Sequence, residues 1–123
     1  MPINNLFDRL DTVILRVSDL SRSLKWYQEV LELSSIYVDD QEQKLAVFDL
    51  DSTTSLTLWQ LQEGESIRPP SSYLIFHSKD AFYVRDQLNI RGAKLGPMDI
   101  SSGVISFPFY DPDGNRLEVC QVG

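Results

Sequence analysis

An α+β fold built from two βαβββ modules is the architecture this sequence predicts, and three observations predict it. A strand–helix–strand–strand–strand pattern occupies residues 10–61 and starts again over 72–122. The two halves register at a constant offset of 61 residues, the distance from Asp19 to Asp80, each of which precedes a helical stretch. The same offset carries Thr12 onto Tyr73, Arg16 onto His77 and Thr57 onto Glu118. Finally, the run from Phe107 to Val119 reads as a hairpin closed by Asp111-Pro112-Asp113-Gly114. Pro112 presets φ, Asp111 can accept hydrogen bonds from the backbone ahead of it, and Gly114 can take positive φ.

Taken in order, residues 11–17 are rich in branched side chains and read as a strand. Val13, Leu15 and Val17 share one face, and Thr12, Ile14 and Arg16 the other. Ser18-Asp19 is a helix cap. Residues 20–31 carry Leu20, Leu24, Tyr27 and Leu31 along one helical stripe. Strands follow over 33–39, 44–50 and 54–61, separated by the polar runs 39–43 and 51–53. In the last of these strands Leu56 and Leu58 face one way, Thr57 and Trp59 the other. The polar stretch 62–71, ending in Pro69-Pro70, reads as a linker. Tyr73–His77 is the first strand of the second module. Asp80 caps a helix over 81–91, Gly92 ends it, and two or three strands fill 94–122. In the return strand Leu117 and Val119 share one face, and Arg116, Glu118 and Cys120 the other.

A chain of 123 residues is one domain with a core of its own. Its 42% hydrophobic and 24% charged content is that of a soluble globular protein. A net charge of −7 argues against nucleic acid as a partner. It suits either a cationic small molecule or simple solubility. The single cysteine, Cys120, leaves no intramolecular disulfide and no thiolate zinc cluster, and fits a reducing compartment. No signal-peptide pattern opens the sequence, and no apolar run approaches the length of a membrane span. The cytoplasm, with no membrane association, is the expected location.

Strand alternation puts Thr12, Thr57, Tyr73 and Glu118 on the sides away from the helices. Side by side, two such modules are expected to close a curved mixed sheet around a cavity in which these four converge. Glu118 sits mid-strand, where a carboxylate is costly unless it meets water, a partner or a metal. Trp59 shares the cavity face and offers an indole N–H and a stacking surface. Tyr37 and Phe109 are possible neighbours of the cavity, whereas Phe48 and Phe107 read as core. His77, the only histidine, lies two residues beyond Tyr73, roughly 6.6 Å along the strand, and reads as a rim residue. Cys120 shares the face of Glu118 but has no assignable basic partner, so packing is its expected role. There is no phosphate loop, dinucleotide fingerprint or paired-cysteine motif.

The paired modules, the run from Leu15 to Leu33 (LRVSDLSRSLKWYQEVLEL) and the run from Phe109 to Val119 (FYDPDGNRLEV) resemble the vicinal oxygen chelate superfamily. That superfamily includes glyoxalase I, extradiol dioxygenases and bleomycin- or fosfomycin-resistance proteins. The resemblance covers nearly the whole chain and implies the glyoxalase/bleomycin-resistance fold. It also implies a divalent metal held from the first and last strands of each module, at positions that fall on Thr12, Thr57, Tyr73 and Glu118. Family metalloenzymes carry His, Glu or Gln at most of these places. Here only Glu118 is a good ligand, with His77 the one further candidate, because protonated hydroxyls donate weakly to transition ions.

The expectation is therefore a family member that binds a small molecule without a metal, drug sequestration being one form of such binding. Drug-sequestering members work as homodimers, which the resemblance implies here too. Trp59 and Tyr73 would stack on a cationic or aromatic ligand, Glu118 would pair with positive charge, and Thr12 and Thr57 would donate hydrogen bonds. The rival expectation is a divalent-metal-dependent lyase, transferase or dioxygenase using Glu118 and His77. An interaction domain with a filled cavity is a third.

Overall fold

The hydrophobic alternation of the strands and the capped helices between them generate two units in the computed structural model, Met1–Ile67 and Arg68–Gly123. The boundary falls inside the polar stretch 62–71. The structure describes residues 2–68 and 71–123; the Pro69-Pro70 pair expected to end the linker lies outside the described residues. Each unit is an α+β module in which a mixed sheet packs its apolar face against one helix.

In the first unit β1 (Thr12–Val17) is followed by α1 (Leu20–Glu29), β2 (Ser34–Asp39), β3 (Leu45–Asp49) and β4 (Ser55–Gln60). The sheet order is β1-β4-β3-β2. β1 and β4 run parallel, and the other pairs antiparallel. Ala46, Phe48, Leu56 and Leu58 are fully buried on one side of the sheet, and α1 buries Leu20, Ser23 and Tyr27. The helical stripe is thus rotated from the expected one: Ser23 is buried where Leu24 and Leu31 are only half-buried. A small side chain at that position leaves room for the helix backbone to lie close to its neighbours. The helix also ends before residue 31, with the Val30 N–H on the Trp26 carbonyl at 2.8 Å and Glu32 at φ 60°.

The second unit comprises β5 (Leu74–His77), α2 (Ala81–Ile90), β6 (Lys94–Leu95), β7 (Asp99–Ser101), β8 (Val104–Tyr110) and β9 (Arg116–Val122). Its order is β5-β9-β8-β6, with β7 also on β8. Four strands follow α2 where two or three were expected. The strand corresponding to β2 is broken at Gly96-Pro97-Met98, since Pro97 has no N–H to give a ladder. Gly96 is tied to Pro108 by a 2.8 Å backbone hydrogen bond, and a Cβ there would strike the Pro108 ring, 3.1 Å from its Cδ.

The internal repeat holds at the level of hydrogen bonds. Val13 pairs with Leu56 and Ile14 with Thr57, and 61 residues on Leu74 pairs with Leu117 and Ile75 with Glu118. Asp19 and Asp80 cap their helices through the N–H groups of Arg22 and Tyr83. A further repeated device was not read from the sequence. Gln60 Oε1 accepts from the Leu20 N–H at 2.9 Å, and Gln121 Oε1 from the Ala81 N–H at 2.7 Å. In each unit the last strand therefore ties down the first turn of the helix, where backbone donors lack intrahelical partners.

Candidate functional site

The 111–115 turn positions β9. Asp111 is buried, and its Oδ1 accepts from the Asp113 and Asn115 N–H groups at 2.9 Å each, while Oδ2 accepts from Asn115 Nδ2 at 2.9 Å. Gly114 takes φ 82°. The turn so fixed starts β9 with Leu117 and Val119 buried and Arg116, Glu118 and Cys120 on the opposite face.

On that face Glu118 already has a cation. Arg116, two residues back, places Nη2 3.1 Å from Glu118 Oε2. Its guanidinium lies over the Tyr73 ring with Cζ 4.6 Å from the centroid. The Glu118 side chain is 14% exposed and that of Arg116 42%. The hydrogen bond to Glu118, opposed by desolvation, pushes Arg116 above an arginine's ordinary pKa. Arg116 Nε, however, is shut off from solvent and has no hydrogen-bond partner among the described residues.

The corresponding face of the first unit carries hydroxyls. Thr12 and Thr57 stand with their Oγ1 atoms 2.7 Å apart, and Thr12 Oγ1 also donates to the Ser55 carbonyl at 3.2 Å. Thr57 is buried. Trp59, half-buried two residues on, is flanked by Arg16, whose Cζ is 5.7 Å from the ring centroid. Arg16 donates from Nε to the Trp59 carbonyl at 3.1 Å and from Nη2 to Glu65 Oε1 at 2.9 Å. The indole N–H meets no acceptor among the described residues.

Of the sequence-predicted site residues, the structure thus brings Thr12 to Thr57 in one unit and, through Arg116, Tyr73 to Glu118 in the other. His77 is exposed and opposite Cys120 in the ladder, two registers beyond the Ile75–Glu118 pair. Phe48, Phe107 and also Phe109 are core, each no more than 1% exposed, so Phe109 is not a wall of a ligand site. Tyr37 is exposed on β2. Sequence reasoning put Arg116 on the right face but gave it no role; its spacing of two from Glu118 was the available signal. A groove of about 640 Å³ runs along α2, lined by Asp80, Tyr83, Arg85, Asp86 and Leu95 among others, and none of the predicted site residues reaches it.

These donors do not fit a divalent transition ion. In the first unit the two positions offer protonated hydroxyls already bonded to each other. In the second, the one carboxylate has a guanidinium beside it, which engages Oε2 and repels a second cation. Among the described residues no three His, Cys, Asp or Glu side chains cluster as a metal site would require.

The paired βαβββ modules, with those strand positions facing away from the helices, define the glyoxalase and bleomycin-resistance class of proteins. The chain belongs to the Glyoxalase/Bleomycin resistance protein/Dioxygenase superfamily, whose family model matches residues 9–119. Its fold is similar to that of TnmS3, an antibiotic binding protein from Streptomyces sp. CB03234, at a TM-score of 0.82 and 19% identity over 98% of this chain and 100% of that one. The fosfomycin resistance protein FosX from Listeria monocytogenes is similar at a TM-score of 0.78 and 17% identity, over 96% of each chain. In sequence the chain is 28% identical to Virulence protein STM3117 of Salmonella typhimurium, over 97% of this chain and 88% of that protein.

Proposed function

We infer that this protein binds a small aromatic molecule, without a resident metal ion, on a sheet face turned away from the helices, the candidate stacking residues being Trp59 in the first unit and Tyr73 in the second. The pairing of Glu118 with Arg116 carries this reading. The one strong anionic donor at the family's ion positions is held by an internal cation, so the face offers stacking surfaces and hydrogen-bond donors in place of an open chelate. Of the two ligand characters expected, aromatic is the better supported, because the counter-charge a cationic ligand would bring is already present in Arg116. Trp59 supplies a half-exposed ring and an available indole N–H, and Thr12 and Thr57, whose protons are engaged with Ser55 and each other, supply hydroxyl oxygens as acceptors. The likeness of fold to an antibiotic binding protein is consistent with this function, and sequestration of a drug-like compound is its simplest biological form. A metal-dependent lyase, transferase or dioxygenase would need donors these positions do not supply.

Equilibrium titration with a panel of aromatic compounds tests the reading. At least one compound binds the wild type, and Trp59→Ala weakens it by roughly tenfold, the equivalent of losing one stacked contact of about 1.4 kcal/mol. Equal affinity in the variant removes Trp59 from the site.

The same reading takes the protein as a cytoplasmic homodimer. One cysteine suits a reducing compartment. Ile14 on β1 and Ile36, Tyr37 and Val38 on β2 are exposed apolar side chains that a second copy would cover. Sedimentation equilibrium should give a mass near twice that of the chain; a monomer at all concentrations contradicts it.

A further inference from the structure

We propose that Arg116 reads the ligand's charge: the guanidinium stands in for the divalent cation of the family, so that the bound molecule carries a carboxylate or another planar pair of acceptor oxygens. The inference rests on the small-molecule reading above and names the ligand class. Three observations carry it. The contact between Arg116 and Glu118 is one-armed, a single Nη2–Oε2 approach of 3.1 Å, although a guanidinium presents five N–H donors in a fork that matches a carboxylate two at a time. Nε is shut off from solvent and finds no acceptor among the described residues, an arrangement that a resting ion pair optimised for stability would avoid. The side chain is nonetheless 42% exposed, and it is held over Tyr73 with Cζ 4.6 Å from the ring centroid.

A ligand carboxylate that engages two guanidinium N–H groups would form a better pair than Glu118 does, and a small rotation of the Arg116 side chain would give Nε an acceptor. Glu118 then acts as the holder of the guanidinium and competes with the ligand for it. An aromatic ring attached to the carboxylate would find the Tyr73 edge beside it. The corresponding residues of the first unit, Ser55 and Thr57, carry no charge, so any charge selection by the repeated strand belongs to the second unit alone.

Benzoate and benzylammonium, which share a ring and differ in the sign of their charge, are the probes, titrated by calorimetry into the full chain and into Arg116→Met, Arg116→Lys and Glu118→Gln. Benzoate is expected to bind the wild type, to weaken about tenfold or more in Arg116→Met, and to recover only in part in Arg116→Lys, which keeps the charge and loses the fork. Glu118→Gln, which removes the competing anion, is expected to tighten benzoate. Benzylammonium should show the reverse order, weakest in Glu118→Gln and strongest once Arg116 is gone. The proposal is overturned if the wild type prefers benzylammonium, if benzoate binds Arg116→Met as well as wild type, or if benzoate fails to bind at about 10 mM. Should Arg116→Met not fold, the signs of the Arg116→Lys and Glu118→Gln effects decide. A panel compound whose binding needs Trp59 but ignores Arg116 would sink this inference and leave the small-molecule reading standing.

Discussion

Asp111 shows how much one side chain can settle. Its two oxygens satisfy the Asp113 and Asn115 N–H groups and the Asn115 amide, with Asp111 and Asn115 themselves buried. Asp111→Ala removes all three of these hydrogen bonds, and a buried donor that loses its acceptor costs about 1–3 kcal/mol. A loss of at least 2 kcal/mol in urea unfolding, roughly twice a typical single lost bond, is expected; a loss under about 0.5 kcal/mol would mean the turn is held elsewhere. This residue was legible in the sequence because turn chemistry is local: Asp-Pro-Asp-Gly fixes its own backbone. The Arg116–Glu118 pair was only half legible. Alternation put both on one face, but which partner a carboxylate takes depends on the rotamer of a long, flexible side chain and on Tyr73, which is remote in sequence.

At the scale of elements, the repeat was readable because it is written twice. The helices Leu20–Glu29 and Ala81–Ile90 begin and end at the same offset, with Asp19 and Asp80 as caps. The bonds from Gln60 and Gln121 to the first helical N–H groups were not readable, since glutamine at a strand end has many possible partners. They predict a matched pair of effects: Gln60→Ala and Gln121→Ala should each destabilise by about 1 kcal/mol, and unfolding midpoints of the two variants should shift alike. A shift in only one would show that the two units do not share the device. The break between β6 and β7 escaped the sequence for a different reason. Gly96 is required by a neighbour 12 residues ahead, Pro108, and only the folded ladder brings them together. Gly96→Ala should cost about 1–3 kcal/mol by overpacking against that ring. Thermal stability equal to wild type would mean the Pro108 side of the ladder yields freely.

Over the whole molecule, charge sets the response to acid. The backbone N–H of Glu42, followed by that of Gln41, holds the Asp39 carboxyl below its ordinary 3.8. The Thr54 N–H and the Thr53 hydroxyl do the same for Asp51. Glu65 is lowered from 4.5 first by the Gln62 N–H and then by Arg16. A depressed carboxyl favours the native state above its unfolded value, and that contribution is lost as the pH falls through the folded value. Stability should therefore be flat from about pH 7 to 5 on account of these groups and decline below about pH 4. The stability gap between Asp51→Asn and wild type should narrow as the pH drops from about 6 to 2. A gap that is constant across that range would show that Asp51 does not titrate with folding.

The family and its fold could be read from the chain, whereas the chemistry of its ion positions required the side-chain contacts. Hydroxyls at Thr12 and Thr57 and an arginine-held Glu118 are the contacts on which the proposal of metal-free binding rests. Metal analysis of protein purified without chelator addresses this most directly. Far less than one transition ion per chain is expected, unchanged by Glu118→Ala; a near-stoichiometric ion that disappears in Glu118→Ala would rule out metal-free binding.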